Sequence, residues 1–170
     1  MNTIILKWNP AISSVTMERF ERELLSSEWP EFNWSVWDHQ QAHVGDQFFL
    51  LRVGEGNTGI VASGTIISEA YQDEDWSGKG REVFYNDIAP DFILHPDRCP
   101  ILTTESLAAA MPDFDWTGGH SGVVLPKEYA GKLNNMWLSL LEQLELDDAF
   151  DLHRASDPML SDEFIDWDDE

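Results

Sequence analysis

Residues 46–69, DQFFLLRVGEGNTGIVASGTIISE, constrain the fold more tightly than any other part of the chain. Two β-rich runs, Phe48 to Val53 and Gly59 to Ile67, flank Gly54-Glu55-Gly56-Asn57-Thr58, and glycine and asparagine tolerate the positive φ of a tight reversal. The stretch therefore predicts a β-hairpin. Gly54, Gly56 and Gly59 also spell G-x-G-x-x-G, which cradles a pyrophosphate when a helix begins at the motif. Here Ile60, Val61, Thr65, Ile66 and Ile67 follow. Such branched side chains favour a strand, so the glycines read as turn and bulge residues rather than a dinucleotide site.

Around the hairpin, Thr3 to Trp8 is a short apolar run that predicts a central first strand, closed by Asn9-Pro10. Met17, Phe20, Leu24 and Leu25 fall at helical spacing after candidate hydroxyl caps, giving an amphipathic helix over 16–27. Phe32 to Trp37 alternates large apolar with small polar residues, as a half-buried strand does. Tyr71 to Arg81 is polar and glycine-containing and predicts a loop carrying Trp76; strand character resumes over Val83 to Ile88. Pro90, Pro96 and Pro100 mark an irregular segment, followed by a short helix, Glu105 to Met111, and a second aromatic and glycine-rich loop, 113–122. Val123-Val124-Leu125 reads as a short strand. Tyr129, Leu133, Met136, Trp137, Leu140, Leu141 and Leu144 then mark a long amphipathic helix. The order predicts an α+β domain with a small mixed, strongly curved sheet or pseudo-barrel flanked by amphipathic helices, over 1–146, with an acidic C-terminal tail, 147–170.

Charge narrows the range of partners. The chain has 170 residues, with 32 acids against ten lysines and arginines, a net charge of −22. That surplus argues against a groove for a long phosphate backbone, whose binding is driven by basic side chains. Twelve of the acids and one base, Arg154, lie in Glu142 to Glu170, so residues 1–141 carry 20 acids and nine bases. One cysteine, Cys99, allows no internal disulfide, and no apolar run is long enough for a signal peptide or a membrane span. A cytoplasmic location is the expectation.

The Trp8-Asn9 loop, the helix after it, the Trp34 to Trp37 strand, Val44-Gly45-Asp46-x-Phe48-Phe49 and Gly59-Ile60-Val61-Ala62-Ser63-Gly64 together resemble the EVE and PUA-like small barrel domains. The likeness follows the order of elements over roughly residues 3–140. It implies a PUA-like fold and a binding module, since EVE, YTH and ASCH domains are known or suspected readers of nucleic acid, several with an aromatic-walled pocket for a modified base. A base stacked on an aromatic ring gains about 1–3 kcal/mol, and polar side chains at its edge supply the choice. On this basis the expected ligand-binding residues are the aromatics Trp8, Trp34, Trp37, Trp76, Tyr85 and Trp116 with the polar groups Asn9, Ser13, Ser63 and Ser121. Trp8, Trp76 and Trp116 are expected to flank the mouth of the barrel. A single base, a nucleoside or a short single-stranded end fits the charge better than a long strand.

Catalysis, metals and cofactors find little support. Gly119-His120-Ser121-Gly122 approaches a nucleophile elbow, but G-x-S-x-G fails at Val123. His39 and His43 are spaced to share a helix face without a third or fourth metal ligand near them, and the acids of the two long loops read as solvated. Cys99 has no base beside it in sequence. The expectation is a non-catalytic module with no cofactor. The alternative is an acidic protein-interaction or nucleic-acid-mimic protein acting through its charged surface and its tail, where Phe164, Ile165 and Trp167 lie among acids.

Overall fold

The computed structural model describes residues 1–25, 32–74, 82–146 and 152–154. The first strand, β1 (Thr3–Trp8), is buried at nearly every position, as its unbroken apolar run requires of a strand covered on both faces. It lies parallel to β3 (Gln47–Arg52) and antiparallel to β8 (Val123–Val124). The hairpin joins β3 to β4 (Gly59–Ile66), with a register shift between Leu50 and Leu51. Beyond β4 come β6 (Glu82–Leu94) and β2 (Phe32–Ser35), so the sheet runs β2-β6-β4-β3-β1-β8.

The sheet curls until its two ends meet. Past β2 the chain continues into the far edge: Trp37 N–H donates to Ser121 O at 2.8 Å and Asp38 N–H to Gly122 O at 2.9 Å. The result is an α+β domain whose mixed sheet forms a half-barrel, as the expected curved-sheet pseudo-barrel requires, with three α-helices among the described residues: α1 (Met17–Arg19), α2 (Thr104–Ala110) and α3 (Lys127–Leu146). The long helix α3 buries Leu133, Trp137, Leu141 and Leu144 at helical spacing, and Trp137 meets Phe49 edge to face at 6.0 Å between centroids. No helix among the described residues is long and apolar enough to cross a membrane.

Three segments differ from the sequence expectation. The helix expected over 16–27 is, among its described residues, α-helical over Met17–Arg19 and continues as a π-helix, Phe20–Leu25; residues 26 and 27 lie outside the described residues. There Phe20 stacks on Trp8 while the next residue, Glu21, reaches His95. Residues expected in a loop form β5 (Tyr71–Glu74), paired with Glu82 to Tyr85. And β6 runs on through Pro90 to Leu94, where an irregular segment was expected. Pro90 pairs with Gly64 at a register shift, a place where a missing ladder N–H is tolerated. From the acidic C-terminal stretch, Leu152–Arg154 pairs with Phe92 to Leu94 as β9.

Candidate functional site

A cavity of about 410 Å3 lies where the loop after β1, strands β2 and β6 and the 119–121 turn come together. Five of the residues singled out in the sequence line it: Asn9, Ser13, Trp34, Tyr85 and Ser121. Each is held by local chemistry. Asn9 opens a turn in which its carbonyl accepts from Ile12 N–H at 3.1 Å and Ser13 N–H at 2.9 Å, while its side-chain Oδ1 accepts from Ala11 N–H at 3.1 Å. Gly54, at φ +96°, backs this turn; a Cβ there would lie 2.8 Å from the Asn9 amide group. Ser13 Oγ accepts from Val15 N–H at 3.0 Å. Trp34, on β2, donates Nε1–H to Lys7 O at 3.1 Å across the mouth of the half-barrel. Tyr85, on β6, pairs with Ser35.

Ser121 is brought in from far along the chain. Its Oγ accepts from Lys7 N–H at 2.9 Å, and the turn that carries it presses on Val36. Gly122 sits at φ +81° with space for no side chain, since a Cβ would come within 2.4 Å of Val36 Cα. Each of the three polar residues gives one oxygen lone pair to a backbone N–H group. Among the described residues their donors, the Asn9 amide NH2 and the two hydroxyl protons, are left for a ligand. The cavity can therefore donate to a molecule that presents hydrogen-bond acceptors.

Among the described residues, Lys7 and Asp73 are the ionic side chains lining the cavity. Burial holds the Lys7 ammonium below the ordinary lysine range, opposed by the charge of Asp115. Its Nζ bonds Gly118 O and lies 5.8 Å from the Phe114 ring centroid. Asp115 is in turn held below the usual carboxylate range by the N–H groups of Thr117 and Gly118, both at 3.0 Å, and by the Thr117 hydroxyl.

The other predicted residues lie elsewhere. Trp8 and Trp116 are 1% and 2% exposed and belong to the core, which corrects their expected place at the barrel mouth. Trp8 stacks on Phe20 at 4.6 Å and donates Nε1–H to Val15 O; Trp116 packs on Phe114 and donates to Met111 O at 3.0 Å. A tryptophan whose N–H finds a carbonyl in its own loop ties that loop down instead of presenting a surface. Ser63 is likewise buried, donating to Asp91 Oδ1 at 2.6 Å and accepting from Trp137 Nε1–H at 2.9 Å. Trp76 lies outside the described residues. Trp37, 61% exposed, borders a second groove of about 430 Å3 that shares Ser35 and Ser121 with the cavity.

Sequence reasoning missed Lys7 and Phe84 as site residues, although a single lysine within TIILKW was a signal that one side chain of β1 faces away from the core. His39 stacks on Phe84, and His43 Nδ1 pairs with Glu69 Oε1 at 2.7 Å. Among the described residues no three His, Cys, Asp or Glu side chains gather as metal ligands would.

Comparison with known proteins places the fold. No protein-family model matches the sequence, and no curated protein matches it. The structure is similar to a protein of Pseudomonas syringae with a TM-score of 0.54 at 17% identity, over 79% of this chain and 98% of that one. It is similar to a protein of Rhodopseudomonas palustris with a TM-score of 0.50 at 22% identity, over 82% and 95% of the two chains. A hypothetical protein of Leishmania major gives a TM-score of 0.52 at 12% identity, over 82% and 96%. At these identities the likeness is one of fold.

Proposed function

We propose that this chain is a non-catalytic binding module of the EVE-like kind, taking one nucleobase, plain or modified, as a nucleoside or at a short single-stranded end. The observation that carries the reading is the convergence of Asn9, Ser13 and Ser121, with donors to spare, beside Trp34 and Tyr85 in one cavity of about 410 Å3. A base offers what such a site takes: a flat ring, carbonyl and ring-nitrogen acceptors at its edge, and little charge. The acidic balance of the chain favours a single base over a long phosphate backbone.

Titration of a panel of modified and unmodified nucleosides and short oligonucleotides, followed by intrinsic tryptophan fluorescence and repeated with Trp34→Phe to identify the reporter, tests it. Binding weakened by Asn9→Ala and by Ser121→Ala, measured well below the melting midpoint of each variant because each change also removes a backbone hydrogen bond, is the expected result. No response to any member of the panel, or a response that neither substitution alters, would overturn it.

The net charge of −22 supports a second reading, in which the acidic surface and tail hold a basic protein partner. Capture from lysate should then succeed at low salt and fail at high salt, and removal of residues after Leu146 should release the partner. Partners retained after that truncation would refute the role of the tail.

A further inference from the structure

The groove beside the cavity is built differently from it. On one side Trp37 and His120 stack at 3.7 Å between ring centroids and 4° between planes; on the other His39 and Phe84 stack at 3.7 Å and 6°. Trp37 is 61% exposed although His120 covers one face of its indole, so the opposite face and the edges are open to solvent. An indole in that state is an uncommon feature on a chain that buries Trp8, Trp34, Trp116 and Trp137.

Two further observations say what would cover it. The groove is continuous with the cavity, because Ser35 and Ser121 line both. It is also a break in the acidity of the chain. Among the described residues the two spaces are lined by Lys7, His39 and His120 with Asp73 as the one acid, against 32 acids and ten lysines and arginines overall. A flat ring carrying an adjoining phosphate meets less repulsion here than the chain's average surface would offer.

We infer that the groove seats a second base of the same ligand, stacked on the open face of Trp37, so that the preferred ligand is a single strand of at least two nucleotides. This inference rests on the base-binding reading of the cavity. His120 acts as a positioning residue that backs the indole, and the phosphate joining the two bases passes over Ser35 and Ser121.

A length series separates the two readings: an equimolar mixture of the four ribonucleosides, random-sequence RNA dinucleotides and random-sequence RNA tetramers, each titrated into the full chain by calorimetry. Dinucleotides should bind between about fivefold and about 160-fold more tightly than nucleosides, the range that one base on one aromatic ring supplies. Trp37→Ala should remove that gain while nucleoside affinity and the melting midpoint stay at wild-type values, and His120→Ala should remove part of it. Asn9→Ala should weaken all three ligands alike. Dinucleotides no tighter than nucleosides, or a gain that survives Trp37→Ala, would overturn the second seat and leave the cavity reading standing. No binding by any member would overturn the second seat, and silence of the modified-nucleoside panel as well would overturn both.

Discussion

Replacing Gly122 by alanine tests how the half-barrel is closed and how Ser121 is delivered. The residue sits at φ +81°, and an added Cβ would lie 2.4 Å from Val36 Cα and 2.8 Å from Val36 Cγ1. The left-handed conformation costs about 1–2 kcal/mol for a residue with a side chain. The clash adds a further 1–3 kcal/mol or so, since backbone atoms cannot rotate away as a flexible side chain would. The expected loss is about 3 kcal/mol, which for a domain of this size lowers the melting midpoint by roughly 6–12 °C. Gly131→Ala is the matched control: it lies in α3 with nothing within 4 Å of the added Cβ. That change should raise stability by about 0.5–1 kcal/mol through helix propensity alone. Thermal melts followed by circular dichroism, run on both variants beside the wild type, give the answer. A Gly122→Ala midpoint within about 2 °C of wild type would refute the close approach of the two chain segments.

Ser63→Ala should cost about 1–3 kcal/mol in denaturant unfolding, because it strands the buried Trp137 Nε1–H, and it should leave ligand affinity unchanged; lost affinity at unchanged stability would place Ser63 in the site after all. His43 is held above its usual 6.5 by hydrogen bonding to Glu69, and Glu69 is held below its usual 4.5 by His43. The His43 contribution to stability is present below 6.5 and lost as pH rises through its raised value; the Glu69 contribution is present above 4.5 and lost as pH falls through its lowered value. NMR titration should find the His43 midpoint falling towards the ordinary value in Glu69→Gln, and an unmoved midpoint would mean that the pair does not persist in solution.

Elements with one dominant period were legible from the residues alone. The hairpin at 46–69, the apolar β1 and the long α3 all follow from spacing and turn chemistry. Tyr71–Glu74 was not, because a polar edge strand has no alternation to read, and Pro90 signalled a break that the sheet absorbs at a bulge. Within the site, Asn9 and Ser13 announce a turn and so a fixed geometry. Ser121 is different: its place beside them depends on a hydrogen bond to Lys7 across 114 residues, which no local pattern encodes. The tryptophans misled for a related reason. Glycine-rich surroundings suggest a surface for Trp116 and a turn suggests one for Trp8, but the carbonyls that capture their N–H groups are five and seven residues away and invisible to composition.

The parallel pairing of β1 with β3, and its second partner in β8, bears on how the protein is made. A ribosome delivers β1 before either of its partners, and Ser121 follows Lys7 by 114 residues. At about 5–20 residues per second, that interval is roughly 6–23 s. Through most of it the apolar run Thr3 to Trp8 has no complete set of neighbours, and a run of that composition is a target for holding chaperones and for association between nascent chains. Yield from a slowed or heavily loaded translation system should therefore depend on chaperone supply more steeply than yield of a helical protein of the same length.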